Sequence, residues 1–201
     1  MQEGLNILIA EDEYIVMMGL KSALIDLGYN VVGVANNGDD LVKLAFEKRP
    51  DLMIVDVNMP KMDGIDAIEK INKKLVIPAI VITGYSKEEF VKRANKAGVL
   101  HYLVKPVDEK ELKPAIEITM GRFEDFKKMR KELIKKQEAL QERKLIERAK
   151  GILMDRNGLK ESEAMKALQK KSRDSNKKIA EVAKEIIKAE EILKIDRDLL
   201  K

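Results

Sequence analysis

Five polar side chains stand directly behind, or at the end of, short apolar runs. Glu11 and Asp12 follow residues 5–10, Asp56 follows residues 52–55, Thr83 closes residues 79–83, and Lys105 comes after residues 102–104. Each run reads as a buried strand, and a polar residue at its end is where an open parallel sheet exposes chemistry. Carboxylates brought to one point raise each other's pKa unless a cation joins them, so Glu11, Asp12 and Asp56 call for a hard divalent ion. Magnesium, Mg²⁺, is the natural candidate. It keeps several waters and leaves room for a phosphoryl oxygen, while the Lys105 ammonium and the Thr83 hydroxyl could hold the other oxygens.

The elements that must position these residues are legible as an alternation. Apolar runs at 5–10, 31–34, 52–55, 79–83 and 102–104 are each followed by helical spacing, as at Val16, Leu20, Ala23, Leu24 and Leu27, and again at 41–46, 65–71, 90–97 and after Asp108. Five strands alternating with five helices predict an α/β fold with a five-stranded, doubly wound parallel sheet covered on both faces. The four strand ends then converge on one crevice.

Composition narrows the function. The 201 residues include no Cys and a single His, which excludes disulfides and thiolate metal sites and disfavours a histidine-based centre. No apolar run approaches the roughly 18 residues of a membrane span, and the N-terminus has no basic stretch ahead of an apolar core, so a cytoplasmic protein without membrane attachment is expected. Residues 122–201 hold 24 Lys and Arg against 16 Asp and Glu, net +8, whereas residues 1–121 hold 15 against 19, net −4. An acidic front suits metal and phosphoryl chemistry; a basic back suits a polyanion.

Glu11-Asp12, Asp56, Thr83 and Lys105-Pro106, set on a five-fold βα repeat, resemble the receiver domain of two-component response regulators, with its flavodoxin-like sheet, over about residues 3–121. The resemblance implies that Asp56 accepts a phosphoryl group from a sensor histidine kinase. It implies that Glu11, Asp12, Asp56 and the backbone carbonyl of Asn58 bind Mg²⁺, and that Tyr102 is a switch whose rotamer follows Thr83. The chain would then be a phosphoryl acceptor and not an enzyme, with at most Mg²⁺-dependent self-phosphorylation and self-dephosphorylation.

Beyond the receiver, set at 1–121, the helical pattern continues from Asp108 through Leu112, Ile116, Met120, Phe123 and Phe126 without a linker, and Pro114 lies near enough to its start to cause only a local defect. Phe126, Leu133 and Leu140 recur every seven residues, with Met129, Lys136 and Arg143 at the accompanying positions. One apolar residue per heptad predicts a helical connector over 122–143 that could form a parallel coiled-coil homodimer or lie on its own domain.

The remainder, 144–201, reads as three helices: one ending at Asn157-Gly158, one from Glu161 to about Ser172, and one from about Asn176, with residues 172–176 capping the last. Their Ala, Ile, Leu and Val stripes predict a small core. No aromatic residue occurs after Phe126, so base stacking is unavailable and nucleic-acid contacts must come from polar helix residues. Lys170, Lys171, Arg173, Ser175, Asn176, Lys177 and Lys178 concentrate positive charge near a helix start. The segment ERAKGILMDRNG, then SEAMKAL, then SRDSNKKIAEVA resembles the ANTAR domain, the RNA-binding module of AmiR and NasR type antiterminators, and Lys150 falls within its pattern. Implied are RNA stem-loops in leader transcripts as partners, a homodimer when phosphorylated, and a transcription antiterminator as output. Alternatives are a DNA-binding regulator, disfavoured because the third helix is mostly Ala, Ile, Glu and Lys, and a receiver controlling a partner protein.

Overall fold

A computed structural model describes residues 4–84 and 88–199; the outermost residues of the expected first and last domains, 1–3 and 200–201, lie outside the described residues. By internal contacts the chain divides into two units at Lys127/Lys128, so the expected connector, 122–143, is shared between them.

The first unit contains β1 (Asn6–Ala10), α1 (Tyr14–Asp26), β2 (Asn30–Ala35), α2 (Gly38–Lys48), β3 (Leu52–Asp56), α3 (Gly64–Asn72), β4 (Ala79–Thr83), α4 (Glu88–Ala97), β5 (His101–Val104) and the first part of α5 (Glu109–Asn157). The five strands form one parallel sheet in the order β2-β1-β3-β4-β5. β3 and β4 are buried at every position, as their apolar runs at 52–55 and 79–82 require, and each ends in a buried polar residue, Asp56 and Thr83.

Side chains alternate across this sheet. Leu8, Met53, Val55, Ala79 and Val81 pack on one face with Leu41, Ile65, Ile68 and Ile71 from α2 and α3. Ile7, Ile9, Leu52, Ile54, Ile80 and Ile82 pack on the other with Leu20 and Leu24 of α1 and Leu112, Ala115, Ile116 and Met120 of α5.

Local chemistry sets the helix starts. The Asn37 side chain accepts from Asp40 N at 3.0 Å, Asp63 from Asp66 N at 2.9 Å, and Asp108 from Lys110 N at 3.0 Å, each satisfying an amide that the first helical turn leaves free. Pro114 sits inside α5 without ending it.

The second unit comprises the rest of α5, then α6 (Glu161–Ser175) and α7 (Ile179–Leu199). Gly158, at φ 66°, ends α5 where the Asn-Gly pair predicts a stop. The next boundary differs from expectation. α6 runs on through Ser172 to Ser175, and Asn176, at φ 52°, closes it in a left-handed cap. The Asn176 amide donates to Arg173 O at 3.2 Å and the Lys177 amide to Ser172 O at 3.1 Å. These polar residues therefore stop one helix instead of starting the next, since Asn tolerates the left-handed conformation such a stop requires. Ala149, Leu168, Val182, Ala183 and Ile187 form the core of the unit.

Candidate functional site

Asp56 ends β3, 4% exposed, and Glu11 follows β1, 2% exposed. Lys105, one residue beyond β5, reaches both. Its Nζ donates to Asp56 Oδ2 at 2.7 Å and to Glu11 Oε1 at 2.9 Å. Burial alone would lower the pKa of this ammonium, but the hydrogen bonds to Asp56 and Glu11 outweigh it and raise the value to about 12. Thr83, buried at the end of β4, lies beside Lys105 through the backbone, where the Lys105 amide donates to Thr83 O at 2.9 Å. The crevice expected from the strand ends is formed.

The residues fit a divalent cation. Oxygen atoms of Glu11, Asp12 and Asp56 lie within 4.8 Å of one another. Buried Glu11 Oε2 lies 2.9 Å from Lys105 Nζ, yet among the described residues no hydrogen-bond donor is aligned with it. Burial, followed by the charge of Asp56, raises the Glu11 carboxyl above the ordinary range despite Lys105. Hard, partly unsatisfied oxygens that repel one another are what such an ion would relieve. Asp12 is exposed at the mouth. Asn58 lies in the loop after β3 and donates its amide to Asp56 Oδ1 at 3.2 Å. Tyr102 is 50% exposed on β5, an edge strand, and pairs in the ladder with Val81.

In the second unit the basic residues separate. Lys150 is 8% exposed, with its ammonium 2.8 Å from Glu161 and 2.9 Å from Glu147. Those two hydrogen bonds raise its pKa, Glu161 first. The ammonium of Lys150, expected among the RNA-contacting residues, here ties α5 to the start of α6. Lys177 pairs with Glu185, and the Lys178 amide, at the start of α7, is taken by Glu181 Oε2 at 3.3 Å. The Ser175 hydroxyl donates to Lys171 O at 2.6 Å within α6. Within the expected cluster at 170–178, the Lys177 ammonium, the Lys178 amide and the Ser175 hydroxyl are therefore engaged by the chain's own groups. Lys170, Lys171 and Arg173 are exposed on α6.

The family described as the response regulator receiver domain matches residues 7–117, and the ANTAR domain matches residues 135–187. The chain belongs to the response regulators with a receiver and an ANTAR domain. It is 42% identical over 185 residues, 90% of each chain, to the transcriptional regulatory protein PdtaR of Mycobacterium tuberculosis. Among solved structures, it is similar to the signal receiver domain of a modulated diguanylate cyclase from Desulfovibrio desulfuricans G20, with TM-score 0.56 and 31% identity over 60% of this chain and 96% of that one. A CheX-CheY-BeF3-Mg²⁺ complex from Borrelia burgdorferi matches with TM-score 0.54 and 26% identity over 57% of this chain and 87% of that one. This response regulator therefore has an RNA-binding antiterminator domain as its output.

Two participants in the response regulator's acidic site escaped the sequence reading. Glu13 Oε1 lies 3.6 Å from Lys105 Nζ, and its amide donates to Glu11 Oε1 at 3.2 Å. The acidic run Glu11-Asp12-Glu13 was the available signal. Gly64, the first residue of α3, passes so close to the acceptor strand that a Cβ there would meet Asp56 O at 2.0 Å. Its signal was the Asp-Gly pair, legible only as a turn.

Proposed function

We propose that Asp56 takes a phosphoryl group from a sensor histidine kinase with Mg²⁺ bound at Glu11, Asp12, Asp56 and the Asn58 carbonyl, and that the modified chain binds leader-RNA stem-loops as a homodimer. The observation that carries the reading is the Lys105 ammonium held on Asp56 and Glu11 among three carboxylates. The ion, when bound, supplies charge neutralisation at the phosphoryl oxygens. Asp56 Oδ is the attacking oxygen, and Lys105 is positioned to release its carboxylates and follow the incoming negative charge.

Phosphorylation turns one negative charge into a larger dianion at the point where β3, β4 and β5 end. Thr83 and Lys105 follow that charge, and Tyr102 on β5 reports their movement as the switch. Taking a two-state equilibrium from about 1:99 to 99:1 needs roughly 5.5 kcal/mol, the scale of several charge-assisted contacts. The chain acts as an acceptor, with self-dephosphorylation limiting the lifetime of the signal. Its location is the cytoplasm; among the described residues no helix is long and apolar enough to cross a membrane.

Support for the homodimer comes from α5, where Phe126, Met129, Leu133 and Leu140 are each at least half exposed, so the described residues leave the heptad stripe uncovered. Electrophoretic shifts with stem-loop RNA and with duplex DNA, each with and without acetyl phosphate, test the whole reading. Retardation of the stem-loop that strengthens with acetyl phosphate is expected. Preference for the duplex overturns it.

A further inference from the structure

The basic side chains of the second unit divide into those that hold it together and those that do not. Arg148 meets Glu191 at 2.8 Å, Arg156 grips Glu190 through two hydrogen bonds of 2.8 and 3.0 Å, Lys150 bridges Glu147 and Glu161, and Lys177 pairs with Glu185. On α6 the pattern is the reverse. Lys166, Lys170 and Arg173 are exposed, and among the described residues their side chains make neither an ion pair nor a hydrogen bond.

These three positions are i, i+4 and i+7, one stripe of the helix about 10 Å long at 1.5 Å per residue. Ala164 and Leu168, fully buried, occupy the opposite side, so the stripe faces outward. Residues 164–173 contain no Asp or Glu. Of the carboxylates flanking this run on α6, Glu163 is engaged with the Lys160 amide at 2.8 Å, and Asp174, next to Arg173 and one turn from Lys170, makes no ion pair with either among the described residues. Like charges at this spacing destabilise a helix, and the glutamates that neutralise Arg148, Lys150, Arg156 and Lys177 do not reach these three. A ridge of unneutralised positive charge is complementary to a phosphate backbone. Without aromatic side chains, contact with that backbone and its shape must dominate recognition.

We propose that Lys166, Lys170 and Arg173 on α6 form the phosphate-contacting ridge of the RNA site, in place of the cluster at residues 175–178. The proposal rests on the RNA-binding reading above and names the surface that performs it. The side chains act as separate point charges on successive phosphates. Binding through them is therefore strongly dependent on salt.

The test uses the full chain treated with beryllofluoride and a stem-loop RNA selected on that chain from a pool with randomised loops. Binding is measured across a range of salt concentrations for the parent and for the triple variant K166Q/K170Q/R173Q. Each phosphate contact contributes about 0.7 to 0.9 to the slope of log affinity against log salt, so the triple variant is expected to lose about two to three units of slope together with most of its affinity. The charge-preserving variant K166R/K170R/R173K keeps the slope. R148Q, which breaks a scaffold pair instead, also keeps it. Because Gln is a good helix former, the triple variant should retain the parent's helical circular dichroism. An unchanged slope and affinity in the triple variant, with the parent binding RNA, overturns the ridge and leaves the RNA reading standing. Failure of the pool to yield any RNA bound by the parent overturns both.

Discussion

Lys105 Nζ lies 2.7 Å from Asp56 Oδ2 although 49 residues separate them in sequence. Only the parallel order β1-β3-β4-β5 brings the two strand ends to one edge, so this contact ties the topology to the chemistry. Asp56 is the oxygen on which the phosphoryl group is expected to be held. Asp56→Asn should abolish labelling by acetyl phosphate while leaving the urea unfolding midpoint close to that of the parent. Persistent labelling of the variant would remove Asp56 from this role.

Removing the ammonium should make stability depend on pH in a defined direction. In the parent, the raised Lys105 pKa contributes stability that is complete below the ordinary 10.5 and is lost as pH rises through about 12. The Glu11 carboxyl is raised by burial and by Asp56, so it too loses stability as pH rises, but in the acid range: its ionisation in the folded state costs stability above 4.5 and works against the fold at neutral pH. Lys105→Met leaves Glu11 and Asp56 without their common counter-charge and raises Glu11 further. The variant should be distinctly less stable than the parent at about pH 7.5 and recover part of the difference at about pH 5, read from urea midpoints. Equal midpoints at both values would contradict the argument.

Gly64 is required by contact and not by its backbone angle. A Cβ there would stand 2.0 Å from Asp56 O and 2.6 Å from Val55 Cγ1, both in a strand that has no room to move. Gly64→Ala should cost about 1–3 kcal/mol, the usual range for overpacking, and slow labelling by acetyl phosphate because β3 carries the acceptor. Chemical unfolding and initial labelling rates measure the two effects.

Thr119 is fully buried in α5, and among the described residues its hydroxyl has no hydrogen-bond partner. Replacing an unsatisfied buried hydroxyl by a methyl group of the same shape removes a desolvation cost without opening a cavity. Thr119→Val should leave the thermal midpoint unchanged or raise it, by up to about 1 kcal/mol of stability. A clear loss would show that the hydroxyl is engaged.

The exposed stripe on α5 predicts the effect of charge at its centre. Leu133→Glu with Leu140→Glu places like charges on facing positions of any parallel pair. Light scattering of the beryllofluoride-treated parent should give twice the chain mass, and the double variant should remain at one. A parent mass unchanged by beryllofluoride would exclude the phosphorylation-driven homodimer.

The receiver was legible because its signals are redundant. Residues 52–55 are apolar at every position, and Asp56, Thr83 and Lys105 each stand where such a run stops; the observed strands depart from the expected ones by no more than a residue or two at each end. The second unit was harder to read for a physical reason. Whether Lys150 or Lys166 faces a partner depends on which glutamate from another helix reaches it, and Glu161 and Glu191 give no local sign of that choice. Asn176 shows the same limit at a boundary. A polar cluster can start a helix or stop one, and the left-handed conformation that decides between them is set by the backbone.

The core around Ala149, Leu168, Val182, Ala183 and Ile187 is wholly aliphatic, and all four tyrosines of the chain precede residue 103. Tyrosine absorbance and emission consequently monitor the receiver alone, whereas far-ultraviolet ellipticity reports the helices of both units. Melting of the output domain leaves the first signal flat and moves the second, so one unlabelled sample reports separately on its input and output halves.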